Sequence, residues 1–104
     1  VYNTIVVFYP VSYHDFSEEL FLLFHESGHY LQFQEYRQQE QEQQFWEYIN
    51  TVDGPKKIRF EQDSWERGAE LFEKFLWHQH IFNEKMIASY HSYARCCVKS
   101  YEQM

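Results

Sequence analysis

The stretch SEELFLLFHESGHYLQF, residues 17–33, decides the fold of this chain. Its first half is apolar on every side, a pattern typical of a helix buried at the centre of a domain. Asp15 precedes this stretch and Glu18 follows three positions later, a pairing that predicts a capped helix start near Ser17. We therefore predict a central helix from about Ser17 and expect the rest of the chain to pack around it.

Two histidines and a glutamate lie inside that apolar helix, in the pentapeptide His25-Glu26-Ser27-Gly28-His29. Residues i and i+4 share one helix face, so His25 and His29 can present two imidazoles to one metal ion. Glu26 stands beside the first ligand and can reach a water on the metal. Zn²⁺ suits such a site because it accepts imidazole and carboxylate ligands and lowers the pKa of bound water. The motif predicts a zinc site with His25 and His29 as ligands and Glu26 as general base.

A catalytic zinc site usually has a third protein ligand, and Glu66 is the predicted one. A capping pattern over residues 63–66 predicts the start of a second apolar helix, whose stripe runs from Trp65 at helical spacing. Glu70 is one turn further along and is predicted to orient a ligand histidine. The alternatives are that Glu66 only closes a capping box and that Glu70 is a solvated acid.

Short apolar runs predict a small sheet beside these helices. Residues 4–9, TIVVFY, are β-branched and aromatic and predict a strand; residues 57–60 predict a short second one. Residues 35–44 are mostly Gln and Glu and predict a solvated helical extension or a mobile segment. The fold class expected is therefore α+β, predominantly helical, with a minimal sheet.

Turn and cap signals divide the rest of the chain. Asp53-Gly54-Pro55 predicts a turn, and Asn83 predicts the cap of a last helix that runs toward Tyr101. No repeat or linker interrupts the pattern, and the length suits one domain. We predict a single zincin-like metallopeptidase domain over residues 1–104.

Other side chains could take part in the chemistry. His78, His80 and His91 are candidate ligands or transition-state donors, although each is more often a surface histidine. His78 and His80 are two positions apart and cannot share a helix face. Tyr90 and Tyr93 could donate to an oxyanion, but no pattern singles them out.

Composition limits the partners and the compartment. The net charge of -7 argues against nucleic acid or an anionic membrane as the main partner, and no apolar run has the length of a membrane span. Cys96 and Cys97 are adjacent and do not make a disulfide framework, which favours a reducing, cytoplasmic setting. Ten Phe, nine Tyr and three Trp are more than a small core hides, so some should line a groove or a homo-oligomer interface.

The segments FHESGHYLQF and SWERGAELF together resemble the ImmA/IrrE-type metallopeptidases, which are relatives of the gluzincins. That family has an HExGH helix followed by a helix with a Glu-x-x-Ala-x-x-Phe pattern, here matched by residues 66–72. The resemblance covers about half of the chain. It implies zinc ligands at His25, His29 and Glu66, a general base at Glu26, and a protease that cuts a specific protein.

Three readings of the function follow. The first is a zinc-dependent metallopeptidase, a hydrolase that cuts peptide bonds of a protein or peptide substrate with Glu26 as base. The second is a zinc-binding regulatory or protein-interaction module with little or no catalytic activity, which the small size favours. The third is a structural helical protein without a metal. Metal content separates the third from the others, and activity on an unfolded protein separates the first two.

Overall fold

The described part of the chain, residues 16–102 of a computed structural model, consists of helices. Their order along the chain is α1 (Ser17–Gln38), α2 (Glu42–Asn50), α3 (Pro55–His78) and α4 (Glu84–Lys99). The predicted helix from Ser17 is confirmed. No strand occurs within residues 16–102, and no helix there is long and apolar enough to cross a membrane.

The predicted α+β class is wrong, because the described chain is all-helical. Residues 57–60, predicted as a strand, form the first turns of α3. A short apolar run cannot by itself distinguish a strand from a buried helix segment. The other predicted strand, residues 4–9, lies outside the described residues.

Helix α3 begins eight residues before the predicted start at Asp63. Gly54 has a φ of +98°, and Pro55 occupies the first helical turn, where its missing N–H costs nothing. The predicted turn at residues 53–55 is confirmed, and helix α3 follows it directly from Pro55. Asp63 instead lies inside α3, where its carboxylate accepts a hydrogen bond from Arg67. Asn83 does cap α4, as predicted, by accepting from two backbone N–H groups.

Two glycines allow α1 and α3 to approach closely. A Cβ atom on Gly28 would lie 2.0 Å from the backbone oxygen of Ser64, and one on Gly68 would lie 2.4 Å from that of Phe24. As α1 advances from Phe24 to Gly28, the contact on α3 moves back from Gly68 to Ser64, so the helices are antiparallel. Gly28 therefore allows the close crossing of the two helices, and the backbone of Ser64 fills the space beside it.

The core continues from this crossing toward α4. The apolar stripe predicted from Trp65 is confirmed, since Trp65, Phe72 and Leu76 are buried. They pack with Phe21 of α1 and with Tyr90 of α4, which is fully buried. The motif pentapeptide thus lies at the edge of the core, next to Trp65.

Candidate metal centre

Three buried side chains from α1 and α3 meet at the helix crossing. The Nε2 atom of His25 lies 3.2 Å from Oε1 of Glu61, and Nε2 of His29 lies 3.2 Å from Oε2 and 3.3 Å from Oε1 of the same carboxylate. The exposed fractions are 6% for His25, 8% for His29 and 3% for Glu61. These three residues can together hold a metal ion.

The backbone explains why these residues meet. His25 and His29 lie one helical turn apart on the face of α1 that contacts α3. Gly28, on the same face, brings that turn against the backbone of Ser64, and Glu61 is one turn before Ser64 on α3. The helix crossing therefore places both imidazoles next to the carboxylate of Glu61.

The partner of Nδ1 sets the tautomer of His29. Gln32 donates through its amide nitrogen to the backbone oxygen of Phe60 at 2.8 Å and to the carboxylate of Asp63 at 2.9 Å. Two acceptors on the nitrogen side assign the amide orientation, so its oxygen, 2.7 Å from Nδ1 of His29, must accept. The proton of a neutral His29 therefore lies on Nδ1, and Nε2 carries a lone pair.

The same reasoning applies to His25. The hydroxyl of Ser64 donates to the backbone oxygen of Glu61 at 2.7 Å, which uses its only hydrogen. Its oxygen lies 3.0 Å from Nδ1 of His25 and is left to accept from it. His25 also has its proton on Nδ1 and a lone pair on Nε2.

Both Nε2 lone pairs consequently face a carboxylate, which repels them unless a positive group intervenes. That group is either a proton on an imidazole or a metal ion bound by all three side chains. Ligand atoms about 2.0–2.1 Å from a tetrahedral zinc ion are roughly 3.3 Å apart, and the nitrogen–oxygen distances here are 3.2 and 3.3 Å. These distances suit a metal ion held by all three side chains, and they equally suit hydrogen bonds from protonated imidazoles to the carboxylate.

The pKa shifts of the group are those of an ion pair between His29 and Glu61. Burial alone would lower the pKa of His29, but the hydrogen bond and charge of Glu61 outweigh it, so this pKa is raised. Burial alone would raise the pKa of Glu61, but hydrogen bonds from His25 and His29, which need a proton on Nε2, and the charges of His29 and Lys57 hold it far below its usual range. Glu61 is therefore ionised and available as a ligand at neutral pH.

A buried lysine and a tyrosine complete the surroundings of the carboxylate. The ammonium of Lys57 lies 3.2 Å from Oε2 of Glu61. The phenol of Tyr101, which follows α4, donates to Oε1 at 3.5 Å. Burial raises the pKa of Tyr101 to about 12, so its hydroxyl keeps the proton.

The structure does not bring Glu66 or Glu70 to the two histidines. Both are exposed on α3, and Glu66 lines a surface groove with His91. The carboxylate that faces the histidines is Glu61, and the groups that orient the imidazoles are Gln32 and Ser64. Glu26 is exposed beside the group, which suits a proton acceptor.

A sequence signal for Glu61 exists. Counting back four residues along the α3 stripe from Trp65 reaches Glu61, so an acid stands on the buried face of an otherwise apolar row. A buried carboxylate requires a partner, and the histidines of α1 are the candidates. The capping pattern places the predicted helix start at Asp63, so Glu61 is not predicted to lie on the helical stripe.

The other candidates lie apart from the group. His78, His80 and His91 are exposed. The hydroxyl of Tyr90 donates to the backbone oxygen of Trp65 at 2.8 Å and is committed to the core. Among the described residues, the group of metal-ligating side chains is the one centred on Glu61.

Comparisons of the chain with protein-family models, with curated proteins and with solved structures found no match.

Proposed function

We propose that this chain is a zinc-dependent metallopeptidase domain in which His25, His29 and Glu61 bind the metal and Glu26 is the general base. The observation that carries the proposal is the convergence of two imidazole Nε2 atoms on one buried carboxylate, next to an exposed glutamate in an HExxH helix. Glu61 takes the role that the sequence pattern assigned to Glu66.

The donor set favours zinc over other metal ions. Two imidazoles and one carboxylate are a frequent ligand set of catalytic zinc sites, whereas Mg²⁺ and Ca²⁺ prefer oxygen ligands throughout. Three protein ligands also leave one tetrahedral position for a water or a substrate.

The residues divide the chemistry of peptide hydrolysis among them. A zinc ion, when bound, lowers the pKa of a water and polarises the substrate carbonyl. Glu26 accepts the proton of that water and passes it to the leaving amine. Gln32 and Ser64 hold the two imidazoles in the tautomer that binds metal.

A second candidate is a zinc-binding interaction module without catalysis. Its support is the burial of the ligand group, which is at most 8% exposed. The surface cavities around Trp65 and His91 and around Pro55 and Tyr48 are also lined by side chains other than the three ligands, and a third cavity reaches Gln32 but none of the ligands. In this reading zinc joins α1 to α3, and Glu26 has no role.

The test combines metal analysis with one isosteric variant. Purified protein is assayed for zinc by elemental analysis and for cleavage of an unfolded protein. Glu26→Gln should keep about one zinc per chain and lose cleavage. Glu66→Gln makes the same change at the exposed glutamate of the second sequence pattern, residues 66–72, and should keep both zinc and cleavage. Zinc without cleavage in the wild type would favour the interaction module. A wild type that takes no zinc, even when supplied with it, would contradict both candidates.

A further inference from the structure

A lysine lies buried against the carboxylate of the metal centre. Lys57 is 5% exposed, and its ammonium is 3.2 Å from Oε2 of Glu61. A cation beside a predicted cation site is unexpected, because it repels a metal ion. A buried ammonium at this place requires an explanation beyond general stability.

The contacts of Lys57 account for all of its hydrogen-bond donors. Its ammonium donates to the backbone oxygens of Tyr48 and Ile49, at 2.9 and 3.3 Å, and pairs with Glu61. These carbonyls belong to the last turn of α2, where a positive charge is favourable. With three donors in use, Lys57 has none left for a substrate, so it acts through Glu61.

The two oxygens of Glu61 have different surroundings as a result. Oε2 pairs with the ammonium of Lys57 at 3.2 Å and also lies 3.2 Å from Nε2 of His29. Oε1 lies 3.2 and 3.3 Å from Nε2 of His25 and His29, and the neutral phenol of Tyr101 is 3.5 Å away. Oε1 therefore contacts both imidazole nitrogens and is the oxygen that is not paired with the lysine.

We propose that Lys57 is a positioning residue that reserves Oε2 of Glu61, so that Glu61 binds a metal through Oε1 alone and one coordination position stays open. The inference rests on the proposed function and adds how the site keeps room for water. A carboxylate bound through both oxygens would fill that position. The ammonium lowers the affinity for a divalent ion in exchange for the open position.

The test uses Co²⁺, whose visible absorption is intense in four-coordinate sites and weak in five-coordinate ones. We would load three proteins with Co²⁺ and compare their visible spectra: the wild type, Lys57→Met and Lys57→Gln. The Zn²⁺ affinity of each protein is then measured with a competing chelator. The control is Lys56→Met, which removes an equal charge from the neighbouring, exposed position. Lys57→Gln retains a donor toward the α2 carbonyls in case Lys57→Met fails to fold.

Both Lys57 variants should show weaker visible bands and a Zn²⁺ affinity raised about tenfold or more, because a nearby positive charge is gone. Lys56→Met should match the wild type. Lys57 variants that bind Co²⁺ with the wild-type spectrum would overturn the role of Lys57 and leave the proposed zinc site standing. A wild type that binds neither ion would overturn both.

Discussion

At the scale of single residues, five positions on α3 separate the proposed ligand Glu61 from the exposed acid Glu66. Glu61 and Glu66 are both glutamates near the start of the predicted helix, but a five-residue step turns the side chain by more than a third of a circle. Glu61 faces α1 and is 3% exposed, whereas Glu66 faces solvent. The chemical identity of the residue is therefore insufficient, and its helical phase decides its role.

The first prediction concerns that pair. Glu61→Gln keeps the shape of the side chain and removes the anionic ligand, so zinc affinity should fall by more than about 100-fold. Glu66→Gln should leave the affinity unchanged. Titration against a chromophoric chelator measures both. A larger loss in Glu66→Gln than in Glu61→Gln would restore the ligand set that the sequence pattern suggested.

The second prediction concerns the tautomer of His29. Gln32→Leu removes the acceptor of the Nδ1 proton, so the ring is free to place its proton on Nε2, and zinc affinity should fall about 10- to 100-fold. In the metal-free protein, ¹⁵N shifts of the His29 ring should move toward the other tautomer. Gln34→Leu, on the exposed side of α1, is the control and should change neither quantity. Unchanged ring shifts in Gln32→Leu would contradict the assignment.

At the scale of elements, the contact between α1 and α3 determines the geometry of the site. Gly28 and Gly68 remove the side chains that would hold the helices apart. The imidazoles lie on one helix and their carboxylate on the other, so the separation of the helices sets the distance between ligand atoms. Glycine in the motif is thus a packing requirement of the metal centre.

The third prediction tests this packing. Alanine favours a helix over glycine by about 1 kcal/mol, but a Cβ at Gly28 would overlap the backbone of Ser64. Gly28→Ala should therefore lower the free energy of unfolding of the metal-free protein by about 1–3 kcal/mol and also weaken zinc binding. Gly68→Ala, whose Cβ would meet the backbone of Phe24 and the hydroxyl of Tyr90 outside the turn between the two histidines, should lose stability with a smaller effect on zinc. Urea denaturation and zinc titration give both values, and a stabilised Gly28→Ala would contradict the close contact.

At the scale of the whole molecule, the first three helices and the residue Tyr101 after α4 all contact the candidate centre. Helix α1 supplies the imidazoles and α3 the carboxylate. The end of α2 holds Lys57 against Glu61, and Tyr101 after α4 reaches the same carboxylate. A metal bound only by the folded chain should therefore stabilise the entire domain.

The fourth prediction follows from this linkage. Zinc at 1,000 times its dissociation constant adds about 4 kcal/mol to the free energy of unfolding, which shifts the Tm of a domain this size by well over about 10 °C. Adding a chelator should lower the Tm of the wild type by that amount. His29→Ala should melt at one temperature with and without chelator. If the Tm of the wild type is the same with and without chelator, no bound metal stabilises the fold.

The local features of this protein follow from short-range patterns in its sequence. The i, i+4 spacing of His25 and His29 and the apolar run before them suffice to predict a helix with two imidazoles on one face. The cap at Asn83 and the turn before Pro55 are likewise local, since side chains there bond to their own backbone or fix their own φ. Helical periodicity and capping depend on residues that are close in the sequence, so the sequence predicts them without knowledge of the packing.

Which acid faces the two histidines, and which groups orient their rings, depends on how α1 packs against α3. Glu61 is 32 residues from His29, and Gln32 is 28 residues from Phe60, so no local rule pairs them. The pairing depends on where α3 begins and on the antiparallel crossing at Gly28. A one-residue change in helical phase turns a side chain by about 100°, and this rotation is fixed only when the two helices pack.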